Sequence, residues 1–145
     1  MRRILIVFLQ ILLCGLLPLA CHHGTPRSTT SPPPPESSYR VESLSLATDG
    51  AGKVISVAFV RPEFIQASHA QPALGRSFIN EEYKPRPQGV ALLSHGLWRQ
   101  QFKSDPQIIG RNVSLNGKAY TVIGVMPKAF KHPRDAEIWV PDETQ

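Results

Sequence analysis

The pattern of apolar and polar positions divides the chain into an apolar start, a polar stretch and a long patterned remainder. Residues 4–17 are predominantly apolar and follow two arginines, whereas residues 22–38 contain no large apolar side chain. A stretch of that second kind cannot bury a core. We therefore expect four parts along the chain. They are a signal peptide over 1–21, a disordered linker over 22–40, a folded domain over 41–141 and a tail over 142–145.

Short strands and helices are predicted in the first half of the folded domain. Residues 53–60 are β-branched and apolar, as in a buried or half-buried strand. Pro62 is accepted in a first helical turn, so we expect a short helix over 62–68. Residues 89–94 predict another strand, and Ser94 can also cap a second helix. Three large apolar side chains recur on one face of that helix: Leu97, Trp98 and Phe102.

Turn residues organise the second half. Asp105 and Pro106 predict a one-turn helix that ends at Gly110. Asn116 and Gly117 separate two β-rich runs and predict a two-residue hairpin, because both central positions of such a turn need positive φ. The sequence therefore predicts a one-turn helix followed by a hairpin.

The side chains of the last strands indicate which faces are buried. For the second arm of the hairpin two sets remain open: Tyr120, Val122 and Val125, or Ala119, Thr121 and Ile123. Gly124 interrupts this arm and indicates a bulge. In the final strand Ile138 and Val140 share one face and Trp139 occupies the other. Together the elements predict an α+β fold, a small mixed or antiparallel sheet with two or three short helices on one side.

The apolar start has the layout of a secretory signal peptide, with Ala20 just before Cys21. Its apolar run is shorter than the roughly twenty residues of a membrane-spanning helix. A retained anchor helix is the lesser alternative. The end of the run also resembles a lipoprotein signal, which makes Cys21 the candidate lipidation site. Pro18 departs from that pattern, so an ordinary signal peptide with a chance cysteine stays open.

Composition narrows the classes of function. The chain has 2 cysteines, and both precede residue 22, which leaves no disulfide or cysteine metal site for the folded domain. The formal charge is +5, and two of the arginines lie in the leader. The remaining excess of positive charge is small. A surface patch could be formed by Arg99, Lys103, Arg111, Lys118, Lys128 and Lys131. Without exposed aromatic side chains between them, we expect no nucleic-acid partner.

Residues that carry out catalysis or hold cofactors are sparse. His69, His95 and His132 are scattered, with no acidic residue at a metal-ligand spacing. Glu81 and Glu82 are adjacent, which favours a solvated turn or a helix cap over an acid–base couple. We expect no catalytic residue, no cofactor and no metal. Convergence of His69 and His95 with either glutamate in a cleft would reverse that expectation.

One string of motifs resembles a known family. It consists of Leu74-Gly75-Arg76, Trp98, Phe102, Asp105-Pro106, Ile109-Gly110, Leu115-Asn116-Gly117, residues 120–127 and Trp139-Val140-Pro141. Over about residues 54–141 it resembles the C-terminal part of the MacB-like periplasmic core domain of FtsX-type ABC transporter permeases. The candidate structural motif residues are Gly75, Arg76, Trp98, Asp105, Gly110, Asn116, Gly117, Gly124 and Trp139. Lys103 and Ser104 replace the glycine that the family usually has after the helix.

The resemblance implies a domain outside the cytoplasmic membrane that couples or docks and does not hydrolyse ATP. It also leads us to expect a partial core domain, without its first half and without the permease helices. The leading hypothesis is a non-enzymatic accessory or protein-binding module of a transport or efflux system. The alternative is a non-functional permease fragment fused to a signal sequence, and an uncharacterised periplasmic enzyme is third.

Localisation and partners follow from the same hypothesis. We expect a periplasm-facing lipoprotein, anchored by Cys21 and sorted to the outer membrane, with a secreted soluble form as the alternative. The expected partner is an envelope protein, either an ABC permease or an efflux component. If strands that pair with the missing half-domain are left open, homodimerisation through sheet edges is a further possibility.

Overall fold

The computed structural model describes residues 33–48 and 51–144. The strands are β1 (Tyr39–Thr48), β2 (Ala51–Val60), β3 (Leu74–Gly75), β4 (Gly89–Leu93), β5 (Asn112–Leu115), β6 (Lys118–Val125) and β7 (Ile138–Pro141). The α-helices are α1 (Pro62–Ser68) and α2 (His95–Phe102), and 3₁₀ turns span Glu36–Ser38, Asn80–Tyr83 and Pro106–Ile108. The predicted leader, most of the linker and Cys21 lie outside the described residues.

The strands form one mixed sheet that closes on itself. Its order is β3-β6-β4-β7-β2-β1-β5, and β5 also pairs with β6, which completes a barrel. The pairs β2–β7 and β4–β6 are parallel, whereas β1–β2 and β5–β6 are antiparallel. The prediction of a mixed sheet is confirmed. The prediction of a small sheet is wrong, because the 7-stranded sheet is closed through β1, a strand absent from the elements predicted above.

The barrel interior holds the larger of two apolar clusters, which we call the interior cluster. Alternate residues of each strand point inward, as the pleat requires. α2 and the third 3₁₀ turn add Leu97 and Ile108 to it. Its buried members are Leu46, Ile55, Val57, Ala91, Leu93, Leu97, Ile108, Val113, Leu115, Tyr120, Val122, Val125, Ile138 and Val140. The first of the two alternatives for the second hairpin arm is therefore confirmed.

A second apolar layer, the outer cluster, covers the outside of the barrel. It consists of Ala58, Val60, Phe64, Leu92, Ile123, Met126 and Trp139. Phe64 belongs to α1, so α1 packs on the outer face while α2 packs against the interior cluster. The prediction that the helices share one side of the sheet is therefore wrong. A closed sheet has an inner and an outer face, and each of the two helices packs against a different face.

Most local predictions from turn chemistry are confirmed. The Ser94 hydroxyl accepts a hydrogen bond from the Leu97 N–H at 3.1 Å and caps α2. Asn116 and Gly117 have φ of 48° and 85°, as the predicted hairpin turn requires. The β4–β6 register shifts beside Gly124, where a bulge was expected.

The sheet begins earlier in the chain than the sequence predicted. β1 begins at Tyr39, so Tyr39 and Arg40 belong to the sheet, whereas the sequence placed them at the end of the linker. β5 pairs only with Leu46 and Ala47 of β1, so residues 39–44 have no strand on that side among the described residues.

No helix in the described ranges is long and apolar enough to span a membrane.

Candidate functional site

Two glycines bring β3 and β6 into close contact. Gly75 has φ of +78°, and a Cβ there would overlap the carbonyl oxygen of Ile123. A Cβ on Gly124, its partner in the ladder, would come within 2.7 Å of the Arg76 carbonyl oxygen. Only glycine therefore fits either position. We call Gly75, Gly124, Arg76 and Glu82 the β3 corner.

An ion pair between the half-exposed Arg76 and the buried Glu82 lies at the β3 corner. Arg76 donates to the Glu82 carboxylate through both terminal nitrogens, at 3.0 Å and 2.7 Å. The Glu82 side chain is 3% exposed, and it also accepts from the Ile79 N–H at 3.0 Å, so it caps the 3₁₀ turn. The expected helix cap is confirmed for Glu82, although the carboxylate is buried and not solvated.

The electrostatics of the pair favour its charged form. Burial opposes ionisation of Glu82, but hydrogen bonds from Arg76 and the Ile79 N–H, with the charges of Arg76 and Arg86, hold its pKa below the usual range. The hydrogen bond to Glu82 raises the pKa of Arg76. A carboxylate held in this way keeps its charge and stabilises the fold, and it is a poor proton donor.

The remaining motif residues have structural contacts. Trp98 donates its indole N–H to the Asp105 carbonyl at 2.9 Å, and the Asp105 carboxylate accepts from the Gln107 N–H. Gly110 has φ of +89° and donates its N–H to Val122, where it extends the barrel ladder. These contacts tie α2 and the third 3₁₀ turn to the sheet.

Asn116 and Trp139 fix two other parts of the structure. Asn116 closes the barrel, because its side-chain oxygen accepts from the Ser45 N–H at 2.8 Å while its own N–H donates to the Ser45 carbonyl. Trp139 lies in the outer cluster and donates its indole N–H to the His132 carbonyl at 2.8 Å. That bond holds the segment 127–137 against the barrel.

A cleft of about 900 Å³ lies between α2 and the segment 127–137. Four basic side chains line it, and we call it the basic cleft: Arg99, Lys128, Lys131 and Arg134. None of them forms an ion pair within the part of the chain that the structure describes. The cleft therefore presents uncompensated positive charge to solvent.

Two acidic side chains also border the basic cleft, but they do not neutralise it. Glu137 is paired with Lys53 at 3.1 Å, and Lys53 is not part of the lining. Asp135 forms no ion pair among the described residues. One carboxylate thus faces four cations, and the balance stays positive.

The structure does not bring the histidines and adjacent glutamates together. His95 lines the basic cleft and stacks edge-on against Trp98, whereas His69 is the exposed C-cap of α1. Neither Glu81 nor Glu82 lines that cleft. Within residues 33–48 and 51–144, no group of three potential metal ligands occurs. The arrangement that would favour catalysis is not formed by these residues.

Two buried tyrosines have raised pKa values. Burial raises the pKa of Tyr83, and the carboxylates of Glu63 and Glu82 raise it further. Burial likewise raises the pKa of Tyr120, in the barrel interior. Both phenols stay protonated at neutral pH.

Sequence reasoning noted three of the four cations of the basic cleft but did not place them together. It noted Arg99, Lys128 and Lys131 among scattered basic residues, and it did not include Arg134. The spacing of Lys128, Lys131 and Arg134 at intervals of three residues was the available signal. Of the other basic residues it noted, Arg111 pairs with Asp105.

The architecture and motifs agree with one family. The family model of the MacB-like periplasmic core domain matches residues 30–145. The chain belongs to the MacB-like periplasmic core domain family. Among curated proteins, no match to the chain is found.

Solved structures similar to this MacB-like domain include extracellular and periplasmic regions of transporters. The extracellular domain of the noncanonic ABC-type transporter YknZ from Gram-positive bacteria aligns with a TM-score of 0.60 at 17% identity, over 72% of this chain and 52% of that one. The periplasmic region of MacB from Actinobacillus actinomycetemcomitans gives 0.60 at 15% identity, over 74% and 47%. A domain of a putative permease from Porphyromonas gingivalis gives 0.53 at 15% identity, over 74% and 45%. The chain thus spans about half the length of these structures and shares their fold.

Proposed function

We propose that this protein is a non-enzymatic module of the cell envelope that binds a protein component of a transport or efflux system. The observation that carries the proposal is the family match over residues 30–145, to a domain named for its periplasmic position. The solved structures that share the fold are extracellular or periplasmic parts of ABC transporters. A docking module needs a rigid surface, and the closed barrel with its two apolar clusters provides one.

The geometry of the described residues supports binding more than catalysis. The buried carboxylate at the β3 corner is fully engaged with Arg76 and the Ile79 N–H. By contrast, the basic cleft leaves four charged side chains available to another molecule. Uncompensated charge on a rigid surface favours association with an oppositely charged partner.

Partner binding is tested by chemical cross-linking in the envelope of the native host. The full chain with an affinity tag is cross-linked, purified and analysed by mass spectrometry. The control carries the same leader and linker on an unrelated folded domain. We expect enrichment of an ABC permease or an efflux component over the control. Enrichment of neither, together with the absence of a phenotype on deletion, would support the alternative of a folded fragment without a function.

We also propose that Cys21 carries a lipid anchor and that the protein faces the periplasm, at the outer membrane. The support is the sequence around Cys21, with Ala20 before it and the apolar run upstream. The test compares wild type with Cys21→Ala by membrane fractionation. We expect the variant to leave the membrane fraction or to keep an uncleaved leader. A variant that is processed normally and stays in the outer membrane contradicts the anchor.

Homodimerisation through a sheet edge remains a prediction, and barrel closure restricts where it could occur. The outer edge of β1 has no partner strand over residues 39–44 among the described residues, because β5 pairs only with Leu46 and Ala47. Val41 is exposed on this strand. Analytical ultracentrifugation of wild type and Val41→Lys tests it, and a monomeric wild type at high concentration contradicts it.

A further inference from the structure

The basic cleft holds a charge arrangement that the fold itself does not need. At the β3 corner Arg76 is matched by a carboxylate, and Arg111 and Lys118 are also paired elsewhere on the barrel. In the cleft, Arg99 comes from α2 and three cations come from the segment 127–137, without ion pairs among the described residues. Four cations beside the one carboxylate of Asp135 leave an excess of positive charge in the cleft, and that excess favours the entry of an anion.

We propose that the basic cleft docks an acidic segment of the protein partner. This inference rests on the proposed function and names the chemistry of the contact. Arg99 and Arg134 can each bind a carboxylate through two parallel hydrogen bonds, and Lys128 and Lys131 add further positive charge to the same cleft.

The size of the cleft fits a peptide segment better than a single small anion. Its volume of about 900 Å³ is at the upper end of ligand sites, which hold many atoms. Its lining also contains apolar surface, from Pro127, Phe130 and Ala136. A segment that alternates carboxylates with small or apolar side chains would contact both kinds of surface.

An anionic membrane surface is the less suitable occupant. Docking to a bilayer combines cations with exposed apolar side chains that enter the interface. The large apolar side chains that are exposed in the described part of the chain are Val41, Val54 and Ile79. None of these three lines the basic cleft.

Both walls of the cleft are held in place before any partner binds. On one wall, α2 is fixed by the Ser94 cap and by the Trp98 bond to Asp105. On the other wall, Phe130 packs against Phe64 and Trp139, with ring centroids 6.3 Å and 5.3 Å apart. The Glu137 N–H also donates to the Ser56 carbonyl at 2.8 Å. A site that is already ordered loses less conformational entropy when a partner binds.

The test is a fluorescence anisotropy titration of the full chain, purified in a non-ionic detergent. The probe is a fluorescein-labelled peptide in which Glu and Asp alternate with Gly and Ser. Wild type is compared with Arg99→Glu/Lys131→Glu at about 50 mM salt, where charge contacts are only partly screened. We expect the double reversal to weaken binding roughly tenfold or more, since two attractive contacts become repulsive.

The matched control is Lys84→Glu/Lys103→Glu, which changes the net charge by the same amount at exposed positions outside the cleft. We expect it to bind the peptide within about threefold of wild type, since long-range attraction alone changes equally in both variants. Equal losses in the two variants would overturn the assignment to the cleft, and so would no measurable binding by wild type.

Competition separates a protein segment from a lipid headgroup. Unlabelled peptide should displace the probe, whereas dihexanoyl phosphatidylglycerol at the same concentration should not. Displacement by the lipid as readily as by the peptide would overturn the assignment of the occupant to a protein.

The cross-linking experiment distinguishes this inference from the proposed function. If wild type and Arg99→Glu/Lys131→Glu capture the same envelope component equally, the cleft is not the docking surface, and the proposed function stands. If the peptide binds in the cleft and no envelope component is captured, the proposed function fails while the cleft keeps its affinity for acidic segments.

Discussion

Arg76 follows strand β3 at the β3 corner, whereas Arg99 lies in helix α2 and lines the basic cleft, and the surroundings of the two arginines differ. Arg76 meets a carboxylate that is 3% exposed and holds it with two hydrogen bonds. Arg99 lies across a cleft from three further cations and forms no ion pair within the described residues. The first arrangement is complete within the chain, whereas the second needs a molecule from outside.

The difference indicates how to separate structural charge from binding charge. A structural pair is buried on at least one side, and removal of one partner leaves the other without compensation. A binding surface keeps its charges solvated, so their removal changes affinity and leaves the fold intact. Stability measurements at the two places should therefore diverge.

The largest loss of stability is expected from Gly75→Ala at the β3 corner. The new Cβ would overlap the Ile123 carbonyl, and φ of +78° is unfavourable for alanine. Steric overlap and backbone strain together should cost about 3 kcal/mol or more in the free energy of unfolding. Urea denaturation followed by circular dichroism measures it.

Gly117→Ala is the matched control for that variant. Gly117 also has positive φ, at +85°, but nothing lies within 4 Å of its added Cβ. Backbone strain alone should cost about 1 kcal/mol. Equal losses in the two variants would contradict the close contact between β3 and β6.

Arg76→Met should have the next largest effect, and the effect should depend on pH. It leaves a buried carboxylate with the Ile79 N–H as its remaining hydrogen-bond donor. We expect a loss of about 2 kcal/mol at neutral pH, less than for a fully buried pair because Arg76 is 51% exposed.

The sign of the pH dependence follows from the lowered pKa of Glu82. In wild type the contribution of the pair is fully present above the unfolded pKa of about 4.3, and it is lost as pH falls through the lower folded value. The gap between wild type and Arg76→Met should therefore shrink as pH falls below about 4.3.

The matched control for Arg76→Met is Arg111→Met. It removes an exposed pair with Asp105, whose side chains are 60% and 34% exposed. An exposed pair contributes about 0.5 kcal/mol, so a small and nearly pH-independent loss is expected. A pH-independent loss in Arg76→Met would show that its cause is packing and not the charge of Glu82.

Barrel closure predicts an intermediate effect for Asn116→Gly. Glycine keeps the positive φ of the turn and removes only the side-chain oxygen that accepts from the Ser45 N–H. The loss should be about 1 kcal/mol. In Asn116→Gly, amide hydrogen exchange should become faster than in wild type at Ser45. The increase should be larger there than at Val57, which lies in the β1–β2 ladder. Unchanged protection at Ser45 would contradict the role of Asn116 in closure.

The local elements were predictable because their signals lie within a few residues of one another. α1 was predicted with the bounds that the structure shows, from Pro62 and the residues after it. Asn116-Gly117 predicted the hairpin for the same kind of reason. β1 also carried a signal, because Leu44 and Leu46 alternate with serines and Asp49-Gly50 is a two-residue hairpin sequence.

Closure of the barrel could not be predicted in this way. The bond between Ser45 and Asn116 joins residues 71 positions apart. Periodicity indicates which face of a strand is buried, but it does not indicate the neighbouring strand. The basic cleft could not be predicted for the same reason, since Arg99 comes from α2 and the other cations come from the segment 127–137.

The smallest effect on stability is expected in the basic cleft, from Arg99→Glu/Lys131→Glu. Both side chains are exposed and line the cleft, and neither forms an ion pair within the described ranges. Their replacement therefore leaves no buried partner without compensation. The free energy of unfolding should stay within about 0.5 kcal/mol of wild type, as for surface changes generally. Urea denaturation of this variant and of Lys84→Glu/Lys103→Glu provides the comparison. A loss in the cleft variant comparable to that of Arg76→Met would mean that the cleft cations hold the fold together, as the β3 corner does. An unchanged stability with weakened peptide binding would place their role in recognition.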